Sequence, residues 1–157
     1  MVRVSRMTLL IVQAFVAVTA LAGGLALVVG SIDPALASAL MPPTEYLEGS
    51  PFRSYLVPGL LLIVLVAGVH AVAFVAVLTE SRWGTMLAAA GGFGCVVWIF
   101  VQMAYIPFSF LQVLYFIIGL VELALTMVLL GVLDEVRAMH RSTFVPLRSR
   151  RAPHAHG

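Results

Sequence analysis

The chain has 157 residues, of which 62% are hydrophobic and only 10% charged, and its formal net charge is +2. A soluble domain has about 25% charged residues, so a water-soluble fold of this length could not cover so much apolar surface. The composition therefore excludes an ordinary soluble domain and predicts an integral membrane protein with a single domain.

Four long apolar segments follow one another along the chain, at about 7–30, 57–79, 83–105 and 109–133. Each is long enough to cross a hydrocarbon core of about 30 Å as a helix. Backbone polar groups in lipid must be hydrogen-bonded within the protein, which only helices and closed β-barrels achieve. No segment alternates in polarity as a membrane β-strand does, so these segments are expected to be helices. The sequence predicts an all-α, polytopic four-helix transmembrane bundle over residues 1–133, followed by a basic tail at 134–157.

The first apolar segment has some features of a secretory signal peptide. Arg3 and Arg6 precede it, and the residues at 35–37 resemble a cleavage site. Its apolar part is longer than the roughly 7–15 residues of a signal sequence. We therefore expect it to be retained as a helix.

The arginine distribution predicts the orientation of the bundle. All nine basic residues are arginines, and eight of them lie at the N-terminus, in the 80–82 turn or in the tail, whereas only Arg53 lies in the 31–56 loop. Cytoplasmic loops carry the excess of basic residues, so both termini are expected in the cytoplasm and the 31–56 loop outside. Lysine and asparagine, whose codons are AT-rich, are absent, which favours a high-GC bacterium and its inner membrane.

The 31–56 loop carries signals for local structure. The stretch 35–41 is expected to form a short helix on the membrane surface. Ser50 followed by Pro51 is typical of an N-cap and a first helical position, so the second helix is expected to begin there. Three aromatic residues are expected at the headgroup level, namely Tyr46, Phe52 and Tyr55.

His70 and Glu122 are the most informative polar residues of the apolar segments. Each lies 13 positions from the outer start of its segment, and the two segments run in the same direction. The two side chains are therefore expected at the same depth, on diagonally opposed helices whose separation they can nearly span. An acid at that depth is costly unless it faces other helices, so a His70–Glu122 contact, either direct or through water, is predicted.

The third and fourth segments each carry polar and small residues spaced three or four positions apart, which places them on one face of a helix. Gln102 and Gln112 flank the hairpin at Pro107 and are expected to hydrogen-bond to each other. The predicted intramembrane polar cluster consists of Glu122, His70, Gln102, Gln112, Tyr115 and Thr126. The predicted helix-packing positions, where small residues allow close approach, are Ala88, Gly91, Gly92, Cys95 and Gly119.

Three interpretations of this cluster remain open. It fixes helix register through buried hydrogen bonds, it carries protons or binds a ligand, or its face binds a partner subunit. The spacing of these residues does not separate the three, although register fixing is the simplest.

The basic tail predicts contact with anionic lipid headgroups, at about 1 kcal/mol per arginine. Its position next to a membrane favours lipid over nucleic acid as its partner. His154 and His156 are not expected to bind a metal. The tail arginines are Arg137, Arg141, Arg148, Arg150 and Arg151.

No cluster with metal-ligand spacing, no nucleophile–base pair and no phosphate-binding loop appears in the sequence. We therefore expect no enzymatic activity, no cofactor and no metal site. The leading expectation is an accessory or assembly subunit of a larger inner-membrane complex, with membrane lipids and other subunits, or further copies of itself, as partners. The alternatives are a small proton-coupled transporter or channel using Glu122 and His70, and a lipid-binding or lipid-modifying protein using the outer loop.

Two stretches, EGSPFRSYLVPG and IPFSFLQVLYFIIGLVEL, resemble a group of small four-helix membrane proteins of high-GC actinobacteria. The resemblance extends over about residues 7–133. It implies membrane topology and bacterial origin, and no particular activity. Small multidrug transporters also have four helices, but their membrane acid lies in the first helix, whereas here it lies in the fourth.

Overall fold

The computed structural model describes residues 2–131, and within that range the chain is helical without strands. A short 3₁₀ turn covers Thr44–Leu47. The α-helices, in chain order, are α1 (Val2–Ile32), α2 (Pro34–Leu40), α3 (Leu56–Leu78), α4 (Gly84–Tyr105) and α5 (Phe110–Leu129). All but α2 are long and apolar enough to cross a membrane, which confirms the predicted all-α, four-helix membrane fold. The tail arginines lie outside the described residues.

The four long helices form a square bundle. α1 packs against α3 and α5, and α4 packs against the same two helices, so α3 and α5 lie on one diagonal. The segments at 33–55 and 106–109 meet at one end, here called the loop end. The opposite end, here called the Arg6 end, holds the start of α1 and the turn between α3 and α4.

The helix boundaries differ clearly from the predicted ones in two helices, α1 and α5. α1 runs over Val2–Ile32, longer at both ends than the apolar segment at 7–30, because its flanking polar residues also adopt helical geometry. α5 ends at Leu129 rather than 133. The reason is Gly131, whose φ of +71° is the left-handed conformation that ends helices after the C-cap.

Two glycine pairs allow the helices to approach closely. A Cβ added at Gly24 of α1 would lie 2.9 Å from the carbonyl oxygen of Gly59 of α3. A Cβ at Gly92 of α4 would lie 3.0 Å from the carbonyl oxygen of Gly119 of α5. Backbone meets backbone at both crossings, which only small residues permit. The other predicted packing residues, Ala88, Gly91 and Cys95, are also buried.

The loop is folded against the bundle. α2 occupies Pro34–Leu40, as expected for the 35–41 stretch, and begins where Oδ1 of Asp33 accepts from the N–H of Ala35 at 2.9 Å. The helix start predicted at Ser50 and Pro51 is wrong. Ser50 Oγ instead accepts from the N–H of Phe52 in a turn, and α3 begins only at Leu56.

Tyr55 is buried within the loop end of the bundle, and its expected position at the headgroup level stays a prediction. Its hydroxyl donates to the carbonyl oxygen of Pro43 at 2.8 Å and so ties the last residue of the loop to its middle. Burial raises the pKa of the Tyr55 phenol, which keeps it a hydrogen-bond donor at neutral pH.

Candidate functional site

A direct contact between His70 and Glu122 lies at the centre of the bundle. Nε2 of His70 is 2.9 Å from Oε2 of Glu122, and the two side chains are only 1% and 0% exposed. They project from α3 and α5 across the diagonal, so the contact expected from depth counting is present. Gly91 of α4 covers the imidazole, because a Cβ there would lie 3.4 Å from Nε2.

The hydrogen bonds of His70 determine how many protons the pair holds. Nδ1 lies 2.7 Å from the carbonyl oxygen of Val66. A carbonyl can only accept, so Nδ1 carries a hydrogen and donates it. The 2.9 Å contact with Glu122 then requires one further proton, held either by Nε2 or by the carboxyl group. In both arrangements the pair has no net charge, which limits the cost of burying it.

The backbone before His70 departs from α-helical geometry. Residues Leu62–Gly68 within α3 form a π-helical segment. Such segments widen the helix and shift its backbone hydrogen bonds, and they occur frequently at functional sites. The carbonyl of Val66 belongs to this segment and accepts from the side chain of His70. The distortion therefore directly supports the orientation of the imidazole.

Gln13 of α1 is a central polar residue that does not belong to the predicted intramembrane polar cluster. It is fully buried, between an apolar cluster around Leu9 and Val77 on its Arg6 side and another around Val16 and Val66 on its loop side. His70 lies between Val66 and Val77 on α3, so Gln13 lies at the same level as His70 and its partner Glu122. These three residues are here called the polar layer. The signal was available, since Gln13 is a strongly polar residue deep within an apolar segment.

The polar layer is not fully hydrogen-bonded among the residues that the structure describes. Both amide atoms of Gln13 and Oε1 of Glu122 are buried without a partner there. Buried polar groups are normally satisfied, so each exception calls for an explanation. Chemically, the layer offers an amide donor, an amide acceptor and a carboxyl oxygen that remain available to a proton, a water molecule or a polar ligand.

Replacing Gln13 with leucine is expected to stabilise the bundle by about 1–3 kcal/mol, because it removes buried polar atoms that make no hydrogen bond. Unfolding of purified protein by sodium dodecyl sulfate in mixed micelles, followed by circular dichroism, measures the change. Gln112→Leu is the matched control, since Oε1 of Gln112 is also buried but accepts from the N–H of Ser109 at 2.9 Å. That variant is expected to be destabilised. A loss of stability in Gln13→Leu would contradict the unpartnered amide.

Within the described residues, the remaining predicted cluster residues form no hydrogen bond with the central pair. Gln112 forms a capping box with Ser109 at the start of α5, so its carbonyl oxygen serves the helix end and not Gln102. The expected Gln102–Gln112 hydrogen bond is therefore wrong, as no bond joins them in the described range. Thr126 is buried but donates to the carbonyl of Leu123, and the Tyr115 ring stacks against Phe15 of α1.

A cavity of about 300 Å³ lies in the loop-end half of the bundle. All four long helices contribute residues to its wall. Among them are three residues of the predicted intramembrane polar cluster, namely Gln102, Gln112 and Tyr115. Val66 and Cys95 also line it. Val66 is the residue whose carbonyl accepts from His70, so the cavity extends to one helical turn from the central pair.

Two further cavities lie toward the ends of the bundle. One of about 180 Å³ is lined by the loop, α1, α3 and α4, and shares Trp98, Gln102 and Ile106 with the first. The other, of about 320 Å³, lies at the Arg6 end and is lined by Arg6 and Glu80. Arg6 forms an ion pair with Glu80 and also donates to the carbonyls of Val77 and Leu78. The polar layer thus has a cavity on each side.

Comparison of the chain with protein-family models, with curated proteins and with solved structures gave no match. The resemblance to actinobacterial four-helix membrane proteins therefore stays a prediction. Any functional assignment depends on the geometry described above.

Proposed function

We propose that the chain is a small proton-coupled transporter or channel of a bacterial inner membrane, in which His70 and Glu122 carry the proton. Both termini would lie in the cytoplasm, as the arginine distribution predicts, with the loop end outside. The observation that carries the proposal is the buried, incompletely hydrogen-bonded polar layer with a cavity on either side.

The unpartnered atoms favour proton or ligand handling over register fixing. A polar cluster that only sets helix register is stabilising when every member is satisfied, and a half-satisfied one is worse than an apolar core. Here Gln13 and Glu122 leave three polar atoms without a partner in the described part of the chain. Such a cost is expected where function requires the groups to remain available.

The apolar layers around the centre support an exchange between the two sides. Leu9, Val77 and Ala88 are packed together between the polar layer and the Arg6-end cavity. Val16, Ala20 and Ala67 pack on the loop side of the polar layer. Because the pair is 1% or less exposed, one layer must loosen before a proton reaches it. Loosening of the two layers in turn would expose the pair to each side alternately.

The test is proton flux into proteoliposomes that contain a trapped pH-sensitive dye, driven by a potassium gradient and valinomycin. The protein is expected to raise the flux above that of empty liposomes. Glu122→Gln is expected to abolish this increase, since the amide keeps the shape and a hydrogen bond to His70 but holds no transferable proton. Glu48→Gln removes an exposed loop carboxylate and is expected to leave the flux unchanged.

Flux that survives in Glu122→Gln, or that is lost equally in Glu48→Gln, would contradict the proposal. The other two functional expectations, an accessory subunit and a lipid-binding or lipid-modifying protein, stay predictions. An accessory or assembly subunit finds less support, because most exposed large residues of the long helices are apolar, as Phe15, Val72 and Phe93 illustrate. Such faces suit lipid as well as a partner. Co-purification of fixed partners from native membranes, identified by mass spectrometry, would favour that role instead.

A further inference from the structure

We propose that the two cavities of the loop-end half together bind an uncharged, largely apolar molecule that carries a carbonyl or hydroxyl group. The inference deepens the proposed function by naming the substrate class of the transporter, and that link rests on the proposed function. Binding itself can be measured without transport, so the two proposals can fail separately.

The two cavities adjoin each other through shared walls. Trp98, Gln102 and Ile106 line both the cavity of about 300 Å³ inside the bundle and that of about 180 Å³ beneath the loop. Ligand sites are typically concave, mostly apolar and about 300–1,000 Å³ in volume, with a few polar groups that fix orientation. The adjoining pair of cavities falls within that description.

The lining excludes a charged ligand. No aspartate, glutamate, histidine, arginine or lysine from the described residues lines either cavity. An ion transferred into such a site would lose its hydration without gaining a charged partner, which is strongly unfavourable. Of the three cavities described here, only the one at the Arg6 end is lined by charged side chains, those of Arg6 and Glu80.

Two side-chain amides supply the polar recognition. Gln102 is partly exposed to the shared cavities, and its amide makes no hydrogen bond within residues 2–131. Gln112 uses Oε1 in the capping box, which leaves its NH₂ group to face the cavity that it lines. Two amide donors and one free amide acceptor therefore border a mostly apolar space, together with hydroxyl groups such as that of Thr19 and the Nε1–H of Trp98, which has no partner among the described residues. They match a carbonyl oxygen or a hydroxyl group on the ligand.

Trp98 also lines both cavities and provides a direct reporter. The chain has two tryptophans, and Trp83 lies outside the cavities, exposed beside Arg82. In a Trp83→Phe background, the fluorescence of Trp98 is measured in nanodiscs while anthraquinone, an uncharged tricyclic dicarbonyl, is added. Saturable quenching by anthraquinone is expected, with anthraquinone-2-sulfonate, the same ring system carrying a charge, at least tenfold weaker.

Two glycine variants separate the site from partition into lipid. Gly23 lines the larger cavity, and a Cβ there would meet its nearest neighbour, Leu62, at 3.6 Å, which is ordinary contact. Gly23→Leu is therefore expected to fold, fill the cavity and abolish saturable quenching. Gly94 of α4 lines neither cavity and has nothing within 4 Å of its added Cβ. Gly94→Leu is the matched control and is expected to bind normally.

Gln102→Leu keeps the side-chain bulk and removes the amide, and it is expected to weaken anthraquinone binding about tenfold, as the loss of one hydrogen bond does. Val97→Leu, on the exposed side of α4, should have no effect. Equal binding of the sulfonate, or unchanged binding in Gly23→Leu, would overturn the inference. Saturable binding without proton flux would support the binding site and overturn only the proposed function. Proton flux without saturable binding would support the proposed function and overturn the binding site.

Discussion

His70→Ala is expected to lower the free energy of unfolding by about 3–5 kcal/mol, the cost of removing one partner of a buried pair. The remaining carboxyl group would have no hydrogen-bond partner among the described residues, because Oε1 of Glu122 already has none and Oε2 bonds only to His70. The substitution would also open a gap beneath Gly91. Titration with sodium dodecyl sulfate in mixed micelles, followed by circular dichroism, measures the loss.

A second substitution separates the pair interaction from the loss of packing. His70→Ala combined with Glu122→Leu removes both polar groups, keeps the bulk at position 122 and leaves the same gap at position 70 as the single variant. Replacing a buried pair with apolar groups is frequently close to neutral, so the double variant is expected to be more stable than His70→Ala alone. If the double variant is less stable than the single one, the pair is not the source of the effect.

Gly24→Leu is expected to destabilise the bundle by about 3 kcal/mol, the upper end of the usual range for overpacking. The added Cβ would lie 2.9 Å from the carbonyl oxygen of Gly59 and 3.2 Å from the backbone nitrogen of Ile63. Backbone atoms cannot move aside as a flexible side chain can, so α1 must separate from α3. The same micelle titration measures the loss, and crosslinking of cysteines placed on α1 and α3 reports the separation.

Two comparisons test the cause of this effect. Gly24→Ala should already show most of the loss, because the clash begins at Cβ. Gly94→Leu, in open space, should show little change, although it introduces the same side chain into a transmembrane helix. If Gly24→Ala is tolerated, the α1–α3 crossing is looser than the structure describes.

The features predicted from the sequence are those that depend on position along a helix. Apolar length gave the four spans, and counting residues from the ends of two parallel segments placed His70 and Glu122 at one depth. Helical spacing placed Ala88, Gly91 and Cys95 on a buried face. Each of these properties follows from a fixed rise and a fixed number of residues per turn.

The features that were missed depend on competition among nearby groups. The side chain of Gln112 could hydrogen-bond to Gln102 or cap α5. Its Oε1 accepts from the N–H of Ser109, which has no partner within the helix because it lies at the helix start. Ser50 could begin a helix or a turn, and it forms a turn. The π-helical segment Leu62–Gly68 has an ordinary apolar sequence, so nothing in its residues distinguishes it from regular helix. The shared cavities arise from three-dimensional packing, which spacing alone does not describe.

The single shared proton between His70 and Glu122 determines how the protein would respond to membrane voltage. A full charge moved across the membrane gains about 2.3 kcal/mol per 100 mV, but a centre without net charge gives the electric field almost nothing to act on. The resting bundle is therefore expected to be insensitive to voltage. Only the arrival of a second proton, or the departure of the first, creates a charge that the field can drive. In the proposed transporter, voltage would therefore act on the rate of turnover and not on the stability of the fold.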